Sequence, residues 1–263
     1  MGRQKSATVK RRDVRKAKRQ ANRGFEDNLV EFPTNENGFA SRENIGMAKC
    51  KKDTRPLEPR NDNQALYLNA LELSDLIVAT GSAGSGKTFL ASAYAVEQLS
   101  EKRYEKIIVT RPMVTAEEEM GFLPGDANEK FAPYFRPVYD ILRKRMGDGW
   151  LKYCLREEIG KVEIAPFAFM RGRTFEDAIV ILDEAQNVTV NQMRLFLTRV
   201  GENVTIIVNG DPNQCDLPKG TKSGLVDLID RIKSKSIDVP IIEFTDDDCV
   251  RSKLCSTALD IYK

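Results

Sequence analysis

The chain of 263 residues contains no histidine. That absence removes histidine acid–base catalysis, serine–histidine triads and imidazole metal ligation. Any chemistry must come from carboxylates, lysine, arginine, hydroxyls and a metal held by oxygen atoms. Cysteine is sparse. Cys50, Cys154, Cys215, Cys249 and Cys255 are scattered, odd in number and never spaced as C-x-x-C. A disulfide framework or zinc site is not expected, and free thiols in a reducing compartment are. No apolar run approaches the length of a membrane span, and the N-terminal residues lack an apolar signal region. The expectation is a globular, cytoplasmic protein without membrane attachment. Residues Met1 to Ser6 fit a myristoylation pattern, but basic segments meet it by chance.

What is present centres on Gly81-Ser82-Ala83-Gly84-Ser85-Gly86-Lys87-Thr88, the phosphate-binding loop pattern. The apolar run Leu76–Thr80 precedes it and reads as a strand. Phe89–Val96 follows and reads as a buried helix. A strand feeding a loop that opens a helix points successive backbone N–H groups at one anion. The glycines allow the tight curl. Lys87 is expected on the β- and γ-phosphates and Thr88 on Mg²⁺. The competing reading, a chance Gly/Ser turn, lacks a reason for the flanking strand and helix.

Charge is unevenly spread. Residues 1–24 hold ten basic residues against one acid, Asp13, a charge of +9, while the remainder carries 31 basic against 38 acidic residues, or −7. A basic arm on an acidic body points to a polyanion, nucleic acid first. A solubilising tail is the alternative. Residues 1–52 lack apolar periodicity and read as a largely disordered basic arm, with the folded domain expected over 53–263.

From there strands and helices alternate. Strands are expected at 75–80, 106–110, 162–165, 178–182, 204–208 and 240–244. Helices are expected over Gln64–Leu71 and near 87–99, 127–146, 150–158, 189–200, 222–234 and 252–261. Thr189 and Gln192 form a capping box, and Met193, Phe196, Leu197 and Val200 follow helical spacing, as do Leu225, Leu228, Ile229 and Ile232. The pattern predicts an α/β fold, a parallel sheet covered by helices on both faces, with its site beyond the C-terminal strand ends.

Those strand ends are polar. Ile107–Val109 runs into Thr110-Arg111-Pro112, Ala178–Leu182 into Asp183-Glu184-Ala185-Gln186-Asn187, and Val204–Val208 into Asn209-Gly210-Asp211-Pro212-Asn213-Gln214. An apolar strand ending in Asp-Glu is the second half of an ATPase site. Asp183 is expected to hold Mg²⁺ through Thr88 or a water, and Glu184 to polarise the attacking water. Gln214 is placed to sense the γ-phosphate, or else to cap its own turn.

In their order, the phosphate loop, Arg111-Pro112, Gly121–Asp126, Arg171–Thr174, Asp183–Asn187 and Gly210–Gln214 resemble the PhoH family over about residues 55–262. That family is described as phosphate-starvation-inducible ATPases, P-loop NTPases related to the first RecA-like domain of superfamily 1 helicases. The resemblance implies ATP and Mg²⁺ as ligands, and it implies Gln64 as an adenine contact. Asp248-Cys249-Val250-Arg251-Ser252 is similar to the family's Asp-Val-Val-Arg-His, with Ser252 replacing the histidine. Arg171 and Arg173 can bind a phosphate backbone, act as an arginine finger or brace acids within the fold.

Three functions are open at this point. The first is an ATP-driven motor or helicase on nucleic acid, RNA before DNA. The second is an endoribonuclease, for which Glu117–Glu119 and Asp246–Asp248 are the acidic clusters. The third is a nucleotide-dependent switch without translocation. A single RecA-like core lacks a cation facing the γ-phosphate from the far side. A homo-oligomer, such as a ring, is therefore expected to supply one in trans. Arg251 ranks first, ahead of Arg111, Arg171 and Arg173.

Overall fold

The computed structural model describes residues 52–113 and 127–249. The elements run α1 (Asp62–Leu73), β1 (Leu76–Thr80), α2 (Lys87–Ser100), β2 (Lys106–Arg111), α3 (Ala127–Met146), α4 (Asp148–Cys154), β3 (Val162–Pro166), β4 (Ala178–Leu182), α5 (Val190–Leu197), β5 (Val204–Gly210), α6 (Gly224–Lys235) and β6 (Ile241–Glu243). Short 3₁₀ turns occupy Phe167–Met170, Ala185–Asn187 and Asp246–Asp248.

The strands form one six-stranded sheet in the order β3-β2-β4-β5-β1-β6. Every neighbouring pair is parallel. The strand sequences explain this. β4 reads Ala-Ile-Val-Ile-Leu and is buried at every position, which suits a central strand with both faces covered. Successive side chains point to opposite faces. Ile77, Ile107, Ile179, Ile181 and Ile207 enter a core beneath α1, α2, α3 and α4. Val78, Ile108, Val180, Leu182, Ile206 and Val208 enter a second core beneath α5 and α6. This is the three-layer arrangement the alternation predicts.

Some boundaries differ from expectation, each for a local reason. The helix expected at 150–158 starts and ends earlier, at Asp148–Cys154. Gly147, at φ 82°, admits the chain, and Leu151 and Cys154 are its buried residues. Beyond them Arg156, Glu157 and Glu158 are exposed, leaving no apolar face to extend. The helix expected to reach residue 200 stops at Leu197. The chain then peels away to pair with a different segment: Phe175 N donates to Arg199 O, and Val200 bridges Phe175. Val200 is consequently 43% exposed rather than in the helix seam. The capping box at its start is present, with Thr189 N donating to Gln192 Oε1 and Gln192 N to Thr189 Oγ1. The helix expected at 252–261 lies outside the described residues, as do Gly121–Asp126, Glu117–Glu119 and the arm to residue 51.

Two features press the elements around the site. A Cβ at Gly81, φ 128°, would meet Phe244 O at 2.1 Å, so only glycine lets β6 lie against the loop. Asp248, far away in sequence, accepts hydrogen bonds from Asn63 Nδ2, Thr245 N and Thr245 Oγ1. Burial alone pushes its carboxyl up, but these donors outweigh burial and hold it below the ordinary carboxylate value.

Candidate nucleotide site

All six strands point their C-terminal ends the same way, and β1 is followed by Gly81–Gly86, whose Gly81, Gly84 and Gly86 have φ of 128°, 98° and 94°. Those left-handed angles curl the backbone as glycine permits at low cost. Gly86 is the N-cap of α2, so the helix opens directly from the loop and its positive end faces the same space.

Lys87 turns back into this loop. Its Nζ donates to Gly81 O at 2.7 Å, Ser82 O at 2.9 Å and Ser85 Oγ at 3.1 Å. Gln64, on α1, buttresses the loop from beneath. Its Nε2 donates to Ser85 O at 3.0 Å, and its Oε1 accepts from Arg60 N at 2.9 Å. Its side chain is buried. Ala83 O lies 4.0 Å from Cys249 Sγ.

Thr88 meets the acidic strand. Its Oγ1 donates to Asp183 Oδ1 at 2.8 Å, although 95 residues separate the two. Asp183 ends β4 and is buried. Its other oxygen, Oδ2, accepts from Arg111 Nη2 at 2.6 Å. Arg111 ends β2, the strand beside β4. It also reaches Glu184 Oε1 at 3.3 Å and Tyr134 O at 2.9 Å. Arg111, ranked below Arg251 among the candidates to act on a neighbour, here braces the acids of its own chain. Its destination was illegible until β2 and β4 were known to be adjacent.

Glu184 has left-handed backbone, φ 56° and ψ 40°, a conformation that costs a non-glycine residue about 1–3 kcal/mol. Its side chain is 41% exposed, and Oε2 accepts from Gln186 Nε2 at 2.7 Å. Gln214 is exposed, and its Nε2 donates to Asp211 Oδ2 at 2.7 Å. In this structure it caps its own turn. Tyr67, fully buried under the site, donates its hydroxyl to Asn209 Oδ1 at 2.7 Å. Burial, the largest influence, pushes its phenol well above the ordinary value, so it stays a donor.

The remaining predicted residues fall apart from this cluster. Arg173 pairs through both terminal nitrogens with Glu163 of β3, which is the bracing role. Arg171 is exposed and lines a small cleft with Phe167, Met170, Phe196 and Arg199. Arg251 lies outside the described residues.

The residues fit a magnesium nucleotide on two observations. Ser82 Oγ is buried in the loop without a hydrogen-bond partner, as a cradle awaiting an acceptor requires. Thr88 and Asp183 supply hard oxygen donors side by side, suited to Mg²⁺ completed by phosphate and water. Among the described residues no group of three or more Asp, Glu or Cys forms a metal cage.

A glycine loop opening a helix, with an acidic strand two places away and β5 between them, makes this chain a P-loop NTPase with a RecA-like parallel sheet. The model of the PhoH-like protein family matches residues 56–263, and the chain belongs to that family. Protein PhoH of Escherichia coli strain K12 is 54% identical over 262 residues, covering this whole chain and 74% of that protein. The PhoH-like proteins of Bacillus subtilis strain 168 and Mycobacterium tuberculosis strain H37Rv are 47% and 43% identical. The chain covers only 61% and 58% of their lengths, and they match 76% and 79% of this one. Among solved structures, the large terminase of a thermophilic bacteriophage aligns with a TM-score of 0.49 at 15% identity, over 77% of this chain and 50% of that one. The UvsW helicase of bacteriophage T4 aligns at 0.43 and 12%, over 77% and 66%. No helix among the described residues is long and apolar enough to cross a membrane.

Proposed function

We propose that the chain hydrolyses ATP with Mg²⁺ and couples the cycle to nucleic acid, RNA in preference to DNA, as a helicase or remodelling motor. The observation carrying the hydrolysis reading is the contact of Thr88 with Asp183. It joins the phosphate loop to the acidic strand, the two halves that phosphoryl transfer needs.

The roles follow from position. Gly81 to Thr88 bind the phosphates through backbone N–H groups. Lys87 exchanges its loop carbonyls for phosphate oxygens, and Gln64 holds the loop's shape. Thr88 and Asp183 hold Mg²⁺, which when bound neutralises phosphate charge. Glu184 orients and polarises water, while Arg111 fixes both carboxylates. The chemistry is positioning and charge compensation, and it needs no histidine. Asp248 is spent on Thr245 and Asn63, which weakens the acidic cluster behind a nuclease reading.

The nucleic-acid reading is supported by the arm's charge of +9 and by the resemblance of the chain's motifs to a family described as related to superfamily 1 helicases. Single-stranded RNA is expected to stimulate ATP turnover, and ATP to drive displacement of a strand from a duplex with no shortening of the RNA. Light scattering on the same sample is expected to give more than a monomer's mass, because a neighbouring subunit supplies the trans-acting cation. RNA cleavage without displacement supports the nuclease reading, nucleotide-controlled RNA binding without either supports a switch, and a fully active monomer ends the oligomer proposal.

The arm has its own test. Deleting residues 1–24 is expected to weaken RNA binding and flatten its dependence on salt, because fewer counterions are released. ATP turnover without RNA should hardly change. Equal affinities and equal salt slopes for the two proteins would reduce the arm to a solubilising segment.

A further inference from the structure

Gln186 belongs to the turn after β4 and is 1% exposed. Its carboxamide is engaged three times, with partners on both sides of the site. Nε2 donates to Glu184 Oε2 at 2.7 Å and to Gln214 O at 3.1 Å. Oε1 accepts from Asp211 N at 3.0 Å. The bonds thus run from the acidic carboxylate to the turn that follows the neighbouring strand, β5. The two turns are pressed together. A Cβ at Gly210 would stand 2.8 Å from Gln186 Oε1 and 3.1 Å from its backbone N. Further bonds repeat the link: Asn187 Nδ2 donates to Asp216 Oδ2, Asp216 N to Asn187 Oδ1, and Cys215 Sγ to Gln186 O. Asp211 in turn takes Asn213 N and Gln214 Nε2 on its two oxygens, which fixes the shape of the second turn.

We propose that Gln186 is a positioning residue that ties the Glu184 carboxylate to the Asp211–Gln214 turn, so that both respond to the nucleotide's terminal phosphate as one unit. This rests on the reading of Glu184 as the group that polarises water. A half-exposed glutamate has several rotamers open to it, and a buried N–H that water does not contest selects one. The amide suits the task because it is neutral. It orients one carboxylate oxygen without adding a second positive charge beside Arg111. Movement of the Asp211–Gln214 turn then shifts Glu184 through two bonds of one rigid group.

Two substitutions in the full chain test this. Gln186→Glu keeps the length, and one oxygen still accepts from Asp211 N. The other faces Glu184 Oε2 and Gln214 O, both acceptors. At neutral pH the new carboxylate sets an acceptor against Glu184 Oε2 and Gln214 O in place of the amide donor, so turnover is expected to fall about 10²-fold below the parent's. Affinity for a non-hydrolysable ATP analogue should stay within about threefold. Gln186→Met removes both donor contacts and should lose a similar factor. In hydrogen exchange without nucleotide, the Asp211 amide should exchange faster in Gln186→Met and as in the parent in Gln186→Glu, with β4 and β5 amides protected in both. That readout stands whether or not the protein hydrolyses ATP, so loss of the hydrolysis reading and loss of the tie are told apart. Parental turnover in both folded variants, a loss of analogue affinity as large as the loss of turnover, or unchanged Asp211 exchange in Gln186→Met would overturn the proposal.

Discussion

Glu184→Gln is expected to bind ATP about as tightly as the parent and to hydrolyse it about 10²–10³-fold more slowly. The amide keeps the size of the side chain, and its oxygen can still accept from Arg111 Nη2, while its nitrogen then faces the Gln186 Nε2 donor. What it removes is the carboxylate's ability to draw on a water proton as the terminal phosphoryl group departs. Because Thr88 contacts Asp183 rather than Glu184, metal retention should survive, and affinity should stay within about threefold. The variant should accumulate bound, uncleaved ATP. Measuring affinity and turnover on one sample separates the roles. Loss of binding would place Glu184 in metal retention or in the structure, and parental turnover would remove it from the chemistry altogether.

The backbone supports this assignment from another direction. Glu184 is held at φ 56° between a fully buried strand and a 3₁₀ turn. Strain at a residue that could be replaced by glycine or asparagine persists where the surroundings over-determine it. Here Asp183 must face Thr88 while Glu184 turns outward to Arg111 and Gln186. The left-handed residue is what lets Asp183 reach Thr88 and Glu184 reach Gln186 while both accept from Arg111 Nη2.

Much of this was legible in the sequence. The four central strands could be read because their residues are apolar on both faces, as a covered parallel sheet requires. The phosphate loop could be read because its glycines, lysine and threonine stand between a strand and a helix. What could not be read depends on which strands are neighbours. Arg111 reaches Asp183 because β2 lies beside β4, and Gln186 reaches Asp211 because β5 does. Sequence separation gives no hint of either pairing. Asn63 and Asp248 meet across 185 residues for the same reason. Val200 was misassigned because helical spacing continues past the point where Phe175 captures the chain.

Lys87→Ala has the other large expected effect. In the present structure the ammonium makes hydrogen bonds to Gly81, Ser82 and Ser85, all within the phosphate loop. It contributes to neither apolar core, so its removal should leave the fold and the melting temperature close to the parent's. On the proposed reading its charge stands beside the phosphates when nucleotide binds, fixed in advance in a site that is partly shut off from water. Removing such a preorganised group costs about 10³-fold in rate, and affinity for ATP should fall as well.

Phosphate release from ATP by the purified chain, with single-stranded RNA present, is the most direct test of the account. Steady release is expected with Mg²⁺, none above background when the metal is chelated, and at least about 10³-fold less from folded Lys87→Ala. No release by the parent under any of these conditions, or equal release by parent and folded Lys87→Ala, would contradict it.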